Sequence, residues 1–311
     1  MARFLLWPPD PARAIGISPR VDIVFRELFG TVGREAMLRD LLNEVLAWPT
    51  PIVEVAIVPD ALLPEQLTHK GVIIDVRAVD AAGRSYQIEM QNAAQPAFFA
   101  RAVYGLAGLV RSKLKRGDEY GDLRPSVALW FCDDDVLPLR RDDAGQVRHH
   151  RRVMLSDVQT GEVMTDLLEL HVVELSRLRA LRRGEPPRPE ERWQRFLAEG
   201  ETWNKAQLGE LMTPTLESAM NVLLSYTEDD VKQRHYERQL EAERVERTRQ
   251  AAMERAQRAQ AESERALAIE AAARHAEAER ARQAETAAQE ARQQVERLAA
   301  LLRSLGQTIP E

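Results

Sequence analysis

The apolar positions change period several times before residue 180, and each change marks a different element. Over residues 20–30, Val21, Val24, Phe25 and Leu28 recur at helical spacing, and Gly30 suits the end of that helix. REAMLRDLLNEVLAW (34–48) repeats the pattern with Met37, Leu38, Leu41, Leu42, Val45 and Leu46. Three strand-like stretches follow at 53–58, 72–80 and 84–91. The last two flank Ala81-Ala82-Gly83, a short turn that predicts a β-hairpin. Residues 96–117 predict an apolar-striped helix with proline in its first turn, basic residues in its last turns and Gly117 after it. SVALWF (126–131) is nearly all apolar, as expected of a strand at the centre of a sheet, and 147–156 and 166–175 predict further strands. The first part of the chain therefore reads as a mixed α/β domain.

Composition shifts near Glu185, and GEPPRPEE (184–191) reads as a hinge because proline-rich polar stretches interrupt packed elements. After Pro214 no glycine or proline occurs until Gly306, and Ala, Glu, Arg and Gln dominate. These changes divide the chain into an α/β domain over 1–183, a hinge with short helices over 184–228, and a long helical tail over 229–311. Ala281, Ala284, Ala288, Ala291, Val295, Leu298, Leu302 and Leu305 fall at alternating spacings of three and four, a coiled-coil seam. That seam predicts a homo-oligomer formed through the C-terminal helix. Upstream, Glu270, Arg274 and Glu277 occupy the same register, so the seam does not run cleanly toward residue 230. The alternative is a lone charged helix held by pairs four residues apart.

Bulk properties narrow the class. Hydrophobic residues make up 44% of the chain, ordinary for a soluble protein. No apolar run reaches the roughly 18 residues a membrane span needs, so no membrane role is expected. The opening MARFLLWPPD carries an apolar patch broken by Pro8 and Pro9, too short for a signal peptide. A single cysteine, Cys132, excludes an internal disulfide framework and fits a reducing compartment, so the cytoplasm is the expected location. The net charge of −6 argues against a general nucleic-acid coat protein. It does not exclude an enzyme that gathers acids around a metal ion and basic residues around those acids, because the whole-chain sum averages the two.

The informative chemistry lies on the hairpin. In the first strand Val72, Ile74, Val76 and Ala78 point one way, Asp75 and Arg77 the other. In the second, Tyr86, Ile88 and Met90 share a face, and Gln87, Glu89 and Gln91 share its opposite. If the apolar sets bury together, Asp75, Glu89 and Gln91 converge on the other side. Two carboxylates on adjacent strands make an oxygen-rich place for a hard divalent cation such as Mg²⁺. Such a cation lowers the pKa of a bound water and offsets charge on a phosphodiester under attack. The bland reading is that acids on the solvent face of an amphipathic hairpin serve only solubility.

Four segments in order carry a resemblance: DIVFRELFG (22–30), HKGVIIDVRAVDAAGRSYQIEMQ (69–91), FFARAVYGLAGLVRSKLKRGDEY (98–120) and LRPSVALWF (123–131). Together they resemble the Rpn family of recombination-promoting nucleases, also described as PD-(D/E)XK transposase-like proteins, over roughly residues 18–180. The resemblance implies a restriction-endonuclease-like α/β core, a mixed sheet flanked by helices, that cuts DNA with Mg²⁺. It implies that Asp75 is the metal-binding acid of the first motif and Glu89 that of the second. Gln91 stands where the motif's name calls for lysine, which replaces a positive charge by neutral hydrogen bonding, although glutamine here resembles the Rpn family's own usage. Lys70 matches a family position that supplies charge, and Asp22 is placed to add a metal contact; for both, a surface role is the alternative.

Arg101 and Tyr104, three apart on one helix, are implied neighbours of the site, with Arg101 on phosphate. Against that stand an arginine capping the sheet edge and a tyrosine packed in the core. Gly105 departs from the family, which tends to place a second aromatic there. Arg111, Lys113, Lys115 and Arg116 offer either DNA-backbone contacts or a solvated helix end. RHHRR (148–152) lacks a third zinc ligand at recognisable spacing, Cys132 reads as a buried small residue, and no GxSxG, P-loop or GxGxxG is present.

The sequence thus predicts a Mg²⁺-dependent DNA endonuclease with a role in recombination or transposition. The competing expectation is an inactive nuclease-derived domain that assembles or tethers DNA through its tail. A third is cleavage of RNA by the same metal chemistry.

Overall fold

A computed structural model describes residues 14–58, 75–92, 97–114, 117–141, 145, 147–186, 188–204 and 211–304. They divide into two compact units at Val245/Glu246. The first unit is built on a six-stranded mixed sheet in the order β1-β2-β3-β4-β6-β5. The strands are β1 (Val55–Ile57), β2 (Val76–Asp80), β3 (Ser85–Gln91), β4 (Ser126–Cys132), β5 (His150–Ser156) and β6 (Val163–Glu174). β1, β2 and β3 pair antiparallel, β3-β4 and β4-β6 pair parallel, and β5 closes the far edge antiparallel to β6. The mixed sheet with flanking helices and the long C-terminal helix match the fold expected of a PD-(D/E)XK core.

Helices cover both faces, so the central strands are buried through and through. All seven residues of β4 are buried, which is why that stretch carries no polar alternation. On one face α1 (Asp22–Phe29) and α2 (Glu35–Leu46) bury Val24, Phe25, Leu28, Leu38, Leu41 and Leu42 against Val76, Tyr86, Ile88, Leu129 and Phe131. On the other, α3 (Phe98–Arg111) packs Phe98, Ala102 and Leu106 onto Ala128, Trp130, Leu170 and Val172. The predicted helix over 96–117 is shorter than expected. It stops at Arg111, where the Ser112 hydroxyl donates to the Leu109 carbonyl and competes with the next helical turn. Gly117, at φ 101°, lies beyond the helix and does not cap it.

The expected boundary at residue 183 does not end the packed body. β6 runs into a short helix, α4 (Leu175–Leu181), and α5 (Arg192–Glu199) and α6 (Pro214–Glu228) follow. Trp193, Phe196, Leu197, Leu216, Met220 and Leu223 all bury in the same core as α1 and α2. Arg182 bridges to Glu191 at 2.7 Å, and Arg195 donates to the carbonyls of Arg182 and Glu185, so the described part of the proline-rich stretch is pinned to its surroundings. Glu44 accepts from the backbone amides of Trp193 and Gln194, satisfying donors that the start of α5 leaves open.

The last helix, α7, spans Asp230–Ser304. In the first unit its Tyr236 is buried, and that hydroxyl accepts from the amide of Ser18. Residues 246–301 expose nearly all of their side chains. Among the described residues no helix is long and apolar enough to cross a membrane.

Candidate active site

The hairpin register fixes the geometry of the acids. Val76 stands opposite Ile88 and Arg77 opposite Gln87; continued by one residue, that register sets Asp75 opposite Glu89. The Asp75 backbone amide donates to the Glu89 carboxylate and the Asp75 charge acts on it, so the two acids lie close together. The Met90 amide donates to Asp75 Oδ2 at 2.7 Å, and the Arg26 guanidinium stands 3.5 Å from Asp75 Oδ1. Arg26 also donates to Asp22 Oδ1 at 3.1 Å, one turn back on α1, and the Asp22 and Asp75 side chains hydrogen-bond to each other. α1 reaches this place because Gly30 allows it: a Cβ there would stand 3.3 Å from Val76 and 3.5 Å from the Asp75 carbonyl. A cavity of about 620 Å³ opens alongside, lined among others by Arg26, Gly30, Thr31 and Asp75.

Burial governs the electrostatics. The Asp75 carboxyl is pushed up to about 7, first by burial and then by the charge and hydrogen bond of Asp22, while the Met90 amide and Arg26 oppose the rise. Glu89 is pushed up to about 8, first by burial and then by the charge of Asp75; the Gln87 amide and Arg101 pull it back. Buried carboxyls in which Asp22 raises Asp75 and Asp75 raises Glu89 are short of positive charge, and that shortage is what a hard cation relieves. The donors are all oxygens of the kind Mg²⁺ accepts. Among the described residues no group of three or more His, Cys, Asp or Glu side chains is placed to hold a metal ion, so the protein would offer at most two such ligands here. A cation here would complete its shell with water, as Mg²⁺ commonly does. The residues present fit such an ion.

The solvent-face alternative does not hold. Glu89 is 5% exposed, Gln91 9% and Gln87 not at all, because α3 covers that side of the hairpin. Gln91 Oε1 accepts from Arg101 Nη1 at 3.4 Å, and the Arg101 guanidinium also lies over the Trp130 ring at 5.7 Å. Tyr104 is 56% exposed on the outer side of α3, so it is not packed in the core. Arg111 is exposed at the end of α3. Lys113 lies beside Arg77 and Asp80, where burial and the Arg77 charge lower its pKa. Lys70, Lys115 and Arg116 lie outside the described residues.

Two residues of the cluster were not singled out by sequence reasoning. Arg26 ties Asp22 to Asp75, and its spacing of four from Asp22 on a helix was a readable signal. Gln87 donates to Glu89 Oε1 at 2.8 Å; alternation placed it on the correct face but gave it no task.

Of the paired histidines, His149 meets Gln194 Oε1 at 3.0 Å and His150 belongs to a separate hydrogen-bonded chain. His150 Nε2 meets His171 Nδ1 at 2.9 Å, His171 Nε2 meets Glu169 Oε1 at 2.6 Å, and Arg152 donates to the same carboxylate. Hydrogen bonds from His171 and Arg152 outweigh burial and hold Glu169 down to about 2. Burial pushes the Cys132 thiol well up, so it stays protonated.

Against protein families, the model of the PD-(D/E)XK nuclease family transposases matches residues 19–256. No match is found among curated proteins or among solved structures.

Proposed function

The chain belongs to the PD-(D/E)XK nuclease transposase family, and from that premise we propose that it is an endonuclease hydrolysing DNA phosphodiesters at the Asp75–Glu89 site with a divalent cation, Mg²⁺ in the first instance. The observation that carries this reading is a pair of buried carboxyls short of positive charge, Glu89 raised by burial and the Asp75 charge, Asp75 raised by burial and Asp22, with a cavity opening beside Asp75. When bound, a divalent cation supplies a water of lowered pKa and offsets charge on the phosphate.

Asp75 and Glu89 would hold the cation, and Asp22 steers Asp75 from α1 through the hydrogen bond between their side chains. Gln91 orients the attacking water or a phosphate oxygen through its amide. It carries no charge, but Arg101 reaches its Oε1, so a guanidinium from α3 brings positive charge to the place where the motif's name has lysine. Arg26 keeps Asp22 and Asp75 facing one another. Tyr104, exposed on the same helix as Arg101, meets the DNA backbone from outside. The tail over 281–302 joins copies of the chain, and the whole serves DNA recombination or transposition.

The test is cleavage of plasmid DNA with Mg²⁺ by the wild type and by Asp75→Ala, alongside single-stranded DNA and RNA. Cleavage by the wild type alone supports the proposal, and preference for RNA redirects it. Equal cleavage by both proteins rejects it. Gln91 also favours a second reading, an inactive nuclease-derived module that assembles or tethers DNA; that reading requires no cleavage with Mg²⁺ or Mn²⁺ and loss of cellular function on removing 229–311.

A further inference from the structure

We infer that Gln87 is a positioning residue that fixes the Glu89 carboxylate toward a divalent cation, and that Gly105 is the opening in α3 that accommodates it. The inference rests on the metal-site reading of Asp75 and Glu89 and adds to it a device that no family motif names.

Gln87 is fully buried. Its strand neighbours are Arg77 on β2 and Ala128 on β4, and α3 crosses above it. Residues two apart on a strand share a face, so Gln87 and Glu89 lie side by side and the Nε2–Oε1 contact of 2.8 Å forms within one strand. Burying an amide costs free energy unless its hydrogen bonds are made. Here Nε2 has Glu89, while Oε1 has no hydrogen-bond partner in the structure. An aliphatic side chain of the same length would fill the space without that cost, so the amide's return is its grip on Glu89. The grip holds one carboxylate oxygen and so keeps the other in a single orientation. Donors behind ligating groups commonly tune metal affinity in this way.

Gly105 provides the independent observation. A Cβ at that position would stand 3.1 Å from Gln87 Nε2 and 3.4 Å from Oε1. Its φ carries no constraint toward glycine, so what the position lacks is room, and the room is taken by the amide group. Any larger residue must move the helix or the glutamine.

The experiment titrates the full-length protein with Ca²⁺ by calorimetry, and reads thermal melting and DNA affinity in Ca²⁺ in parallel. Gln87→Met keeps length and loses the donor; Gly105→Ala keeps the glutamine and displaces it. Each is expected to weaken Ca²⁺ binding by about 10-fold or more. DNA affinity and the melting temperature of Gln87→Met should stay near wild type. In the Gln87→Met background, Gly105→Ala should cost no further cation affinity, because its effect runs through the amide.

Ca²⁺ affinity within 2-fold of wild type for Gln87→Met, while Asp75→Ala loses binding, overturns the inference and leaves the metal site standing. Should Gln87→Met melt early, Gly105→Ala decides in its place: weakened Ca²⁺ binding at an unchanged melting temperature supports the inference, and unchanged binding overturns it. Wild-type affinity in Asp75→Ala takes down the metal-site reading and this inference together.

Discussion

The backbone amide of Met90 donates to Asp75 Oδ2 at 2.7 Å, so the main chain of β3 holds an acid that belongs to the start of β2. This bond fixes the Asp75 carboxyl beside the strand that carries Glu89. Asp75→Asn keeps an acceptor for that amide and removes the charge, whereas Asp75→Ala removes both. Both variants should lose cation-dependent cleavage. The alanine variant should also lose about 1–3 kcal/mol of stability for the amide left without a partner, and the asparagine variant less. Urea unfolding beside a plasmid assay separates the two effects, and wild-type cleavage by Asp75→Asn would remove the charge from the account.

The raised acids carry a pH signature. Glu89 sits near 8 in the fold against 4.5 in an open chain, and Asp75 near 7 against 3.8. Between those limits the folded state keeps protons that the unfolded state has released, so stability must fall as pH rises. The contribution is complete below pH 4 and is gone once the pH has passed both folded values. Metal-free protein should therefore melt at progressively lower temperature from pH 5 to 8.5, and Glu89→Gln should flatten the slope. Mn²⁺ should raise the melting temperature more at pH 8 than at pH 6, because the cation binds the ionised form. A slope unaffected by Glu89→Gln would place the titrating group elsewhere.

Much of this was legible along the chain, and the failures have physical causes. The period-two alternation of the IDVRAV and SYQIEMQ segments put Glu89, Gln91 and Gln87 on one face correctly, because a strand's two faces are fixed by its own backbone. What alternation cannot reveal is the element lying over a face. α3 covers the face that carries Glu89 and Gln91, and with that Gln87 and Gly105 acquired meanings that neither shows alone. The boundary at 183 failed for a similar reason. The stretch 184–191 does break the run of helices after β6, but whether the chain leaves the body afterwards depends on Trp193 and Phe196 finding a core made by α1 and α2.

That misplacement has a direct consequence. Trp193 is fully buried against Phe29 and Phe196, with its indole donating to Asp40 at 3.1 Å. Trp193→Ala should cost about 3–5 kcal/mol, the range for emptying a large aromatic site. A chain ending at residue 183 strips from α1 and α2 the cover of Trp193, Phe196, Leu216, Met220 and Leu223 and should show no cooperative melt. One ending at residue 245 keeps the whole first unit and should melt cooperatively. Calorimetry of the two truncations decides, and a cooperative transition in the shorter one would mean that α5 and α6 are dispensable.

The second unit yields the last prediction. Val295 is 65% exposed and Leu298 56%, and both lie on the seam that the spacing of 281, 284, 288, 291, 295 and 298 draws along α7. The first half of that seam is alanine, which buries little, so Val295, Leu298 and the leucines after them must supply most of the association. Fully burying each such side chain is worth about 1.5–3 kcal/mol. Parallel pairing in register also sets Arg280 of one copy near Glu285 of the other, a pair of opposite charge flanking the seam. Leu298→Glu should therefore convert an oligomer into a monomer as completely as deleting 246–311 does. The Ca²⁺ affinity of the first unit should be the same in either case. Light scattering on a sizing column reads the mass. An unchanged mass in both variants would place any self-association outside this helix, and a monomeric wild type would dismiss the seam as a charged helix standing alone.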